Sequence, residues 1–223
     1  MSTTAPKHLS AYLYESRSVI LEMLEQRGFQ VDKYKNFTSA EMNLLASEIK
    51  TQTPEPIVST NFDSKEHIEV HYLLDKNSPT AKTIDTLVNS VISKRDESLN
   101  DFDHTLVIIT KSKCSQSVND SLSYLYKETG TYVQIFSIRT LMFNVTKHTL
   151  VPPHTRLEPS IFETHLKNEY HIKSPDQLPH IMDNDPVAKF IGLRPGDICK
   201  ITRPSLSAGQ HQVYRHCVSS TLG

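Results

Sequence analysis

The residues between 148 and 215 determine the fold of the C-terminal part of this chain. The sequence begins HTLVPPHTRLEP at residues 148–159 and continues LPHIMDNDP at 178–186. It closes with GLRPGDICKITRPSLSAG at 192–209 and VYR at 213–215. Eight of the chain's 12 prolines and three of its 6 glycines lie in this stretch. Proline fixes φ and glycine tolerates positive φ, so these residues mark where elements begin and end. The pattern predicts a compact, sharply turned module.

A capping residue followed by proline recurs in this module and predicts where its helices begin. Glu158-Pro159, Ser174-Pro175 and Asp185-Pro186 share the device, and Gly192 is predicted to end the helix that Asp185 opens. We also expect a strand over 197–203, a loop over 204–210 and an antiparallel strand over 212–218. The predicted fold is a small α+β domain with a mixed sheet.

Ahead of this module, helical and strand patterns alternate. Apolar periodicity predicts helices over 9–27 and 38–50, the second capped by Thr38 or Ser39. Strands at 67–74, 105–110 and 132–136 then alternate with helices at 79–94 and 117–128. Alternation of this kind predicts an α/β layer with a largely parallel sheet. We therefore expect two domains, over residues 1–144 and 145–223.

Composition limits the class of protein. The formal net charge is -1, whereas proteins that hold nucleic acid alone are usually strongly basic. The three cysteines are odd in number and form no C-x-x-C pair, which favours a reducing compartment over a disulfide scaffold. The first residues lack the apolar core of a signal peptide, and no apolar run approaches a membrane span. We expect a soluble intracellular protein.

Two arrangements of residues resemble enzyme sites and also have plainer interpretations. Asp63 and Glu69 resemble the carboxylate pair of metal-dependent nucleases, but His71 occupies the position where such sites place a lysine. An exposed strand edge explains Glu69 equally well. Histidines are abundant from residue 148 onward, yet their spacing with Cys199 and Cys217 fits no zinc pattern. We predict no catalytic residue, no metal and no cofactor.

Two polar groups remain as candidate binding sites. One is the loop after the second predicted strand, which carries Lys111, Lys113, Ser115 and Ser117. Two ammonium groups, hydroxyls and a helix N-terminus suit a phosphate, although an ordinary solvated loop with Ser117 as N-cap explains them too.

The other group is a pair of arginines in the C-terminal module. Arg203 and Arg215 flank the predicted loop over 204–210. Two guanidinium groups on adjacent strands suit a partner's carboxylate, and solvated strand ends are the plainer interpretation.

Six short motifs in a fixed order carry a resemblance to a known family. The C-terminal module resembles the fifth subunit shared by eukaryotic nuclear DNA-dependent RNA polymerases, a module that is similar to the small H-type subunit of archaeal polymerases. The motifs are HxLVPxH at 148–154, LPxI at 178–181, DP at 185–186 with Gly192, GD at 196–197, RxSxxAG at 203–209 and YR at 214–215.

The resemblance implies a non-catalytic polymerase subunit. The C-terminal domain would be an assembly domain docked on the largest subunit, and the N-terminal domain a jaw near downstream DNA. The jaw would have a nuclease-like fold without an active site, which agrees with His71. The catalytic site would lie in other chains. We expect the subunit interface at His148, Pro152, His154, Arg203, Ser205, Tyr214 and Arg215.

The loop expected to lie near DNA departs from the family pattern. The family carries a Thr-Pro-Ser-Ala turn there, and only Ser117 of the SQSV sequence at 115–118 matches it. Lys111, Lys113, Ser115 and Ser117 are the predicted DNA-proximal residues. Of 24 Lys and Arg, 8 lie from His148 onward, and of 25 Asp and Glu, 7 do, which leaves the first 147 residues a net charge of -2. Any DNA contact must therefore be local and weak.

The sequence leaves the source and the polymerase class open. A cellular protein of this family would work in the nucleus, and a large DNA virus homologue in the virion or a cytoplasmic viral factory. The alternative functions are a divalent-metal nuclease on the N-terminal domain and a free-standing adaptor with a borrowed assembly domain.

Overall fold

The computed structural model describes residues 9–48, 55–74, 80–94, 97–205, 207 and 209–220. The chain divides into two compact units, Met1–Phe143 and Asn144–Gly223. Within the described ranges, no helix combines the length and apolar character needed to cross a membrane.

The first unit opens with three helices, α1 (Leu9–Gln26), α2 (Asp32–Lys35) and α3 (Ser39–Glu48). Gly28 follows α1 with a φ of 85°, as its position after the basic Arg27 predicts. Thr38 caps α3 reciprocally with Glu41: each backbone N–H donates to the other side chain, at 2.7 and 3.3 Å. The short helix α2 has no counterpart among the predicted elements.

A four-stranded sheet follows, in the order β1-β2-β3-β4. Strands β2, β3 and β4 are parallel, and β1 pairs with β2 antiparallel. The sequence predicts the three parallel strands and misses β1, whose short run mixes apolar and hydroxyl side chains. The strands are β1 (Ile57–Asn61), β2 (Glu66–Leu73), β3 (Asp103–Thr110) and β4 (Tyr132–Ser137).

Two helices complete the core of this unit. Helices α4 (Ala81–Ser93) and α5 (Gln116–Thr129) pack their apolar side chains against alternate residues of β3 and β4. Gly130 ends α5 in the left-handed conformation, at φ 66°. The N-cap of α5 is Ser115, not the predicted Ser117. Shorter 3₁₀ turns lie at Glu97–Leu99 and Ile138–Leu141.

The second unit is built on a mixed sheet in the order β5-β7-β8-β6. Only the pairing of β6 with β8 is parallel. Most of the predicted loop over 204–210 belongs instead to the hairpin, whose register ends at Ser205 opposite Gly209. The strands are β5 (His154–Leu157), β6 (His180–Met182), β7 (Ile198–Ser205) and β8 (Gly209–Val218).

Short helices cover both faces of this sheet. One helical stretch runs from α6 (Pro159–Ile161) through a π-helical segment (Phe162–Leu166) to α7 (Lys167–Glu169), and α8 (Pro186–Ile191) lies later in the chain. Phe162 and Leu166 pack with Ile198 and Tyr214 on one face. Ala188 and Ile191 pack with Cys199, Ile201 and Cys217 on the other. The alternation of β7 and β8 side chains accounts for the two cores. Turns of 3₁₀ helix lie at Val145–Lys147 and Pro175–Gln177.

Candidate functional site

The loop between β3 and α5 brings the four predicted DNA-proximal residues to one edge of the parallel sheet. Its start is fixed by Thr110, whose buried hydroxyl Oγ1 lies 2.7 Å from the carbonyl oxygen of Ser112 and 3.2 Å from that of Phe136. Lys111, Lys113, Ser115 and Ser117 are all exposed. Loops at the carboxyl ends of parallel strands commonly form binding sites in α/β folds.

The hydroxyl groups of this loop are oriented toward each other. Ser115 Oγ lies 2.9 Å from Ser117 Oγ, and the Ser115 side chain makes no capping bond to the helix. Its backbone carbonyl instead accepts the N–H groups of Val118 and Asn119, at 3.2 and 3.3 Å. Within the described part of the chain, neither Lys111 nor Lys113 forms an ion pair. The loop thus presents two ammonium groups and two hydroxyls to solvent, and these are groups that commonly bind phosphate.

Glu69 is built into a small histidine cluster in the middle of the sheet. It lies on β2 between Val58 of β1 and Leu106 of β3, so the suggestion of an exposed strand edge is wrong. Its carboxylate oxygens lie 3.0 Å from His71 Nε2 and 3.5 Å from His67 Nε2. Burial alone would raise the pKa of Glu69, but the two imidazoles outweigh burial and lower it to about 2.

This arrangement lacks what a metal-dependent nuclease requires. Asp63 lies in the exposed turn between β1 and β2, where its backbone N–H donates to Asn61 Oδ1 at 3.0 Å. Imidazoles occupy both oxygens of Glu69, and among the described residues no group of three or more His, Cys, Asp or Glu is placed to hold a metal ion. This geometry gives the nuclease alternative no support.

The cysteines of the second unit are core residues. Cys199 and Cys217 are fully buried in the cluster beneath α8. Burial raises the pKa of the Cys199 thiol to about 11 and that of the Cys217 thiol to about 12. His211 is exposed on the hairpin, away from this core. Protonated thiols in an apolar core serve packing rather than redox or metal chemistry.

The end of the β7–β8 hairpin carries two of the predicted interface residues, Arg203 and Ser205. Arg203 is exposed and Ser205 half-buried, opposite His211 and Gly209. The ladder with β5 ends at Ile201. Beyond that point β8 is the one described strand that pairs with β7, and one further bond runs from the Thr202 N–H to the Pro153 carbonyl. The described residues at this end of the hairpin therefore pair with each other, from Arg203 opposite His211 to Ser205 opposite Gly209.

Arg215 and Tyr214, two further predicted interface residues, make contacts within the second unit. The register places Arg203 opposite His211 and Arg215 opposite Cys199, four ladder steps apart, or about 13 Å along the strands. Arg215 Nη1 donates to the His180 carbonyl at 2.9 Å. A single carboxylate gripped by both arginines is therefore unsupported. Tyr214 is buried in the core, with its hydroxyl 3.2 Å from Gln212 Oε1.

The HxLVPxH motif shapes the chain entering β5. The backbone N–H of Leu150 donates to His148 Nδ1 at 3.2 Å, and His154 Nδ1 donates to the Pro152 carbonyl at 2.6 Å. Leu150, which is absent from the predicted interface, is 85% exposed. The sequence did contain a sign of this exposed leucine, since an apolar residue lies within the turn-forming HxLVPxH motif. This leucine adds an apolar contact point to the candidate interface.

The chain is similar in sequence to known subunits of DNA-directed RNA polymerases. Residues 143–217 match the family model described as RNA polymerase Rpb5, C-terminal domain. The chain is 28% identical over 212 residues to the DNA-directed RNA polymerases I, II, and III subunit rpabc1 of Dictyostelium discoideum, covering 92% of this chain and 97% of that protein.

The second unit carries the stronger similarity. Over 75 residues the chain is 48% identical to the DNA-directed RNA polymerase subunit Rpo5 of Sulfurisphaera tokodaii, covering 33% of this chain and 86% of that protein. The corresponding identity to subunit RPABC1 of Caenorhabditis elegans is 44% over 75 residues, or 34% of this chain and 35% of that protein. The motifs between residues 148 and 215 fall within the matched segment, and the chain belongs to the Rpb5 family of DNA-directed RNA polymerase subunits.

Proposed function

We propose that this chain is a non-catalytic subunit of a multisubunit DNA-directed RNA polymerase. The observation that carries the proposal is the match to the Dictyostelium subunit, which spans 92% of this chain and 97% of that protein. The similarity extends over both units of the chain. It therefore favours a polymerase subunit over an adaptor protein in which only the C-terminal domain is related to a polymerase subunit. The catalytic site of the polymerase would lie in other chains.

Residues 145–223 are proposed as the assembly domain, docked on the largest subunit. The archaeal relative supports this role, because 86% of that short subunit aligns with 75 residues here. A segment that forms most of a polymerase subunit by itself is suited to hold the subunit in the enzyme. We place the contact at the exposed Arg203, the hairpin end and Leu150, with His148, Pro152 and His154 shaping the neighbouring turn.

Residues 1–144 are proposed as a jaw near downstream DNA, with a nuclease-like fold that has no active site. The parallel strands β2 to β4 with their flanking helices support a fold of that kind. Exposed Lys111 and Lys113 support a local phosphate contact. The net charge of -2 over the first 147 residues limits this contact to a weak one that depends on salt.

The proposed location follows from the proposed enzyme. A cellular form would act in the nucleus, as expected for a subunit related to one shared by polymerases I, II and III. A viral form would be found in the virion or a cytoplasmic viral factory. Neither domain is proposed to need a cofactor.

Sedimentation tests the proposed function. Native extract would be separated on a glycerol gradient, and each fraction assayed for this chain and for DNA-templated RNA synthesis. We expect the chain to sediment with the synthetic activity. A chain found only at the sedimentation rate of its own monomer would contradict the proposal.

The assembly contact has a sharper test in matched variants. Arg203→Glu should reduce incorporation into the complex, whereas Lys173→Glu, an exposed charge reversal in the same unit, should not. Equal incorporation of both variants would remove Arg203 from the interface.

The DNA contact can be tested by crosslinking in an elongation complex. A photo-crosslinking residue replacing Lys113 should capture downstream DNA, with yield falling as salt rises. The same residue replacing Lys127, in the last turn of α5, is the control and should capture none. Equal yields at the two positions would contradict a jaw contact through this loop.

A further inference from the structure

A groove in the first unit combines an apolar floor with an arginine whose Nε atom is buried. It lies among α1, α2 and α3, and its volume of about 390 Å³ falls in the range of ligand-binding pockets. The residues that matter to its chemistry are Arg17, Lys33, Tyr34, Phe37, Met42 and Leu44. It is distinct from the Lys111–Ser117 loop.

Arg17 lies against two aromatic rings. Its guanidinium carbon is 5.2 Å from the ring centroid of Phe37 and 5.9 Å from that of Tyr34. Tyr34 is itself fixed, because its hydroxyl donates to the Val58 carbonyl at 3.0 Å and accepts the Val58 N–H at 2.9 Å. Tyr14 packs edge-on against Phe37, with centroids 5.1 Å apart. The rings therefore hold the guanidinium in a defined position.

The Nε atom of Arg17 is buried and has no hydrogen-bond partner among the described residues. A buried donor without an acceptor is costly, so this guanidinium is incompletely paired within the described part of the chain. A carboxylate suits a guanidinium best, because it can accept charge-assisted hydrogen bonds in parallel. The groove thus has a specific position for an anion.

Apolar side chains surround this position. Met42 is almost fully buried at the base of the groove, whereas Leu44 is 63% exposed at its edge. Phe37 is half-buried. Exposed apolar residues beside a pocket are typical of protein–protein contact sites, and methionine adapts to different apolar partners.

The local charges favour an acidic ligand. Lys33 is exposed, with its Nζ 4.8 Å from the ring centroid of Tyr34. Glu41 also lines the groove, but its Oε2 accepts the Thr38 N–H in the cap of α3. Lys35 is occupied by ion pairs with Glu25 and Asp32. Among the residues that line the groove, two cations therefore face one engaged carboxylate, a net charge of +1.

We propose that this groove binds a short acidic segment of a partner protein, with a carboxylate on Arg17 and a neighbouring apolar side chain against Phe37, Met42 and Leu44. A nucleic acid fits less well, since backbone binding needs a row of cations and the first 147 residues carry a net charge of -2. This interaction adds a partner to the chain and does not depend on its role in a polymerase.

Fluorescence anisotropy with the full chain tests the proposal. The probes are a labelled peptide that alternates aspartate and leucine, the matching asparagine–leucine peptide, and a single-stranded oligonucleotide. We expect saturable binding of the acidic peptide and binding about tenfold weaker for its neutral counterpart, since a charge-assisted hydrogen bond is lost. In NMR spectra, the Met42 methyl signal should shift as the acidic peptide binds.

Matched variants locate the site. Arg17→Gln should weaken acidic-peptide binding about tenfold, whereas Arg139→Gln, an exposed arginine of the same unit, should leave it unchanged. Leu44→Glu changes an exposed side chain and should weaken binding similarly, which keeps the test valid if Arg17→Gln fails to fold. The proposal is overturned by absent binding at about 1 mM peptide, by equal affinity for both peptides, by tighter binding of the oligonucleotide, or by full affinity in Leu44→Glu.

Discussion

Arg156 and Asp197 form an ion pair that ties the edge strand of the C-terminal sheet to the turn before its central hairpin. Arg156 Nε lies 2.8 Å from Asp197 Oδ2, and the same oxygen accepts the Arg194 backbone N–H at 2.8 Å. Burial raises the pKa of Asp197, and the two arginines only partly oppose that effect. The ionised carboxylate therefore depends on these two donors.

Removing this carboxylate should destabilise the second unit. We expect Asp197→Ala to lower the free energy of unfolding by about 2 kcal/mol, because it removes the ion pair with Arg156 and the acceptor of the Arg194 backbone N–H. Asp197→Asn keeps an acceptor for Arg194 and should cost about 1 kcal/mol. Urea denaturation measures both. Glu158→Ala, an exposed carboxylate next to β5, is the control and should stay within about 0.5 kcal/mol of wild type.

Asp185 gives a second prediction, for a helix cap. Its Oδ1 accepts the backbone N–H groups of Val187 and Ala188, at 2.8 and 3.2 Å. Asp185→Ala should lower the free energy of unfolding by about 1 to 2 kcal/mol, and Asp185→Asn should retain most of the cap. Thermal denaturation followed by circular dichroism distinguishes the two variants. Equal losses in both would show that the cap bonds are not what stabilises α8.

Glu69 gives a prediction for pH dependence in the first unit. Its folded pKa of about 2 lies below the ordinary value of 4.5, so ionised Glu69 stabilises the folded state. This contribution is fully present above pH 4.5 and is lost as pH falls toward 2. The difference in unfolding free energy between wild type and Glu69→Gln should therefore shrink across that interval. A difference that stays constant with pH would mean that the His67 and His71 contacts do not act on this carboxylate's charge.

Gly130 provides a test of backbone conformation. Its φ is 66°, and an added Cβ would meet no atom within 4 Å. Gly130→Ala should therefore lower the free energy of unfolding by about 1 kcal/mol, because alanine is strained in the left-handed conformation. Urea denaturation measures this change. Gly130→Asn should cost less, because asparagine tolerates this conformation better than alanine does. A loss well above that of a single strained residue would point to a packing role for this turn.

The elements that the sequence predicts correctly are those with local physical signals. The buried β-branched run at 105–110 lies within β3, Thr38, one of two predicted caps, caps α3, and Asp185 with Gly192 bounds α8. Each depends on residues close in sequence. Strand β1 was missed because its run is short and gains its stability by pairing with β2.

The sites were harder to predict because they depend on contacts between distant residues. No sequence spacing links Arg156 to Asp197, or Arg17 to the rings of Tyr34 and Phe37. Ser115 and Ser117 are chemically alike, so composition alone cannot choose the N-cap of α5. The motifs of the second unit indicated the family, while the polar contacts that orient their side chains required the fold.

Membership of a working RNA polymerase is best tested by affinity purification. The tagged full-length chain would be purified from its native cells under mild salt, and its partners quantified by mass spectrometry. We predict that the two largest polymerase subunits are recovered in amounts equal to the chain. Recovery of the chain with no polymerase subunit, or in stable association with an unrelated protein, would contradict its role as a polymerase subunit.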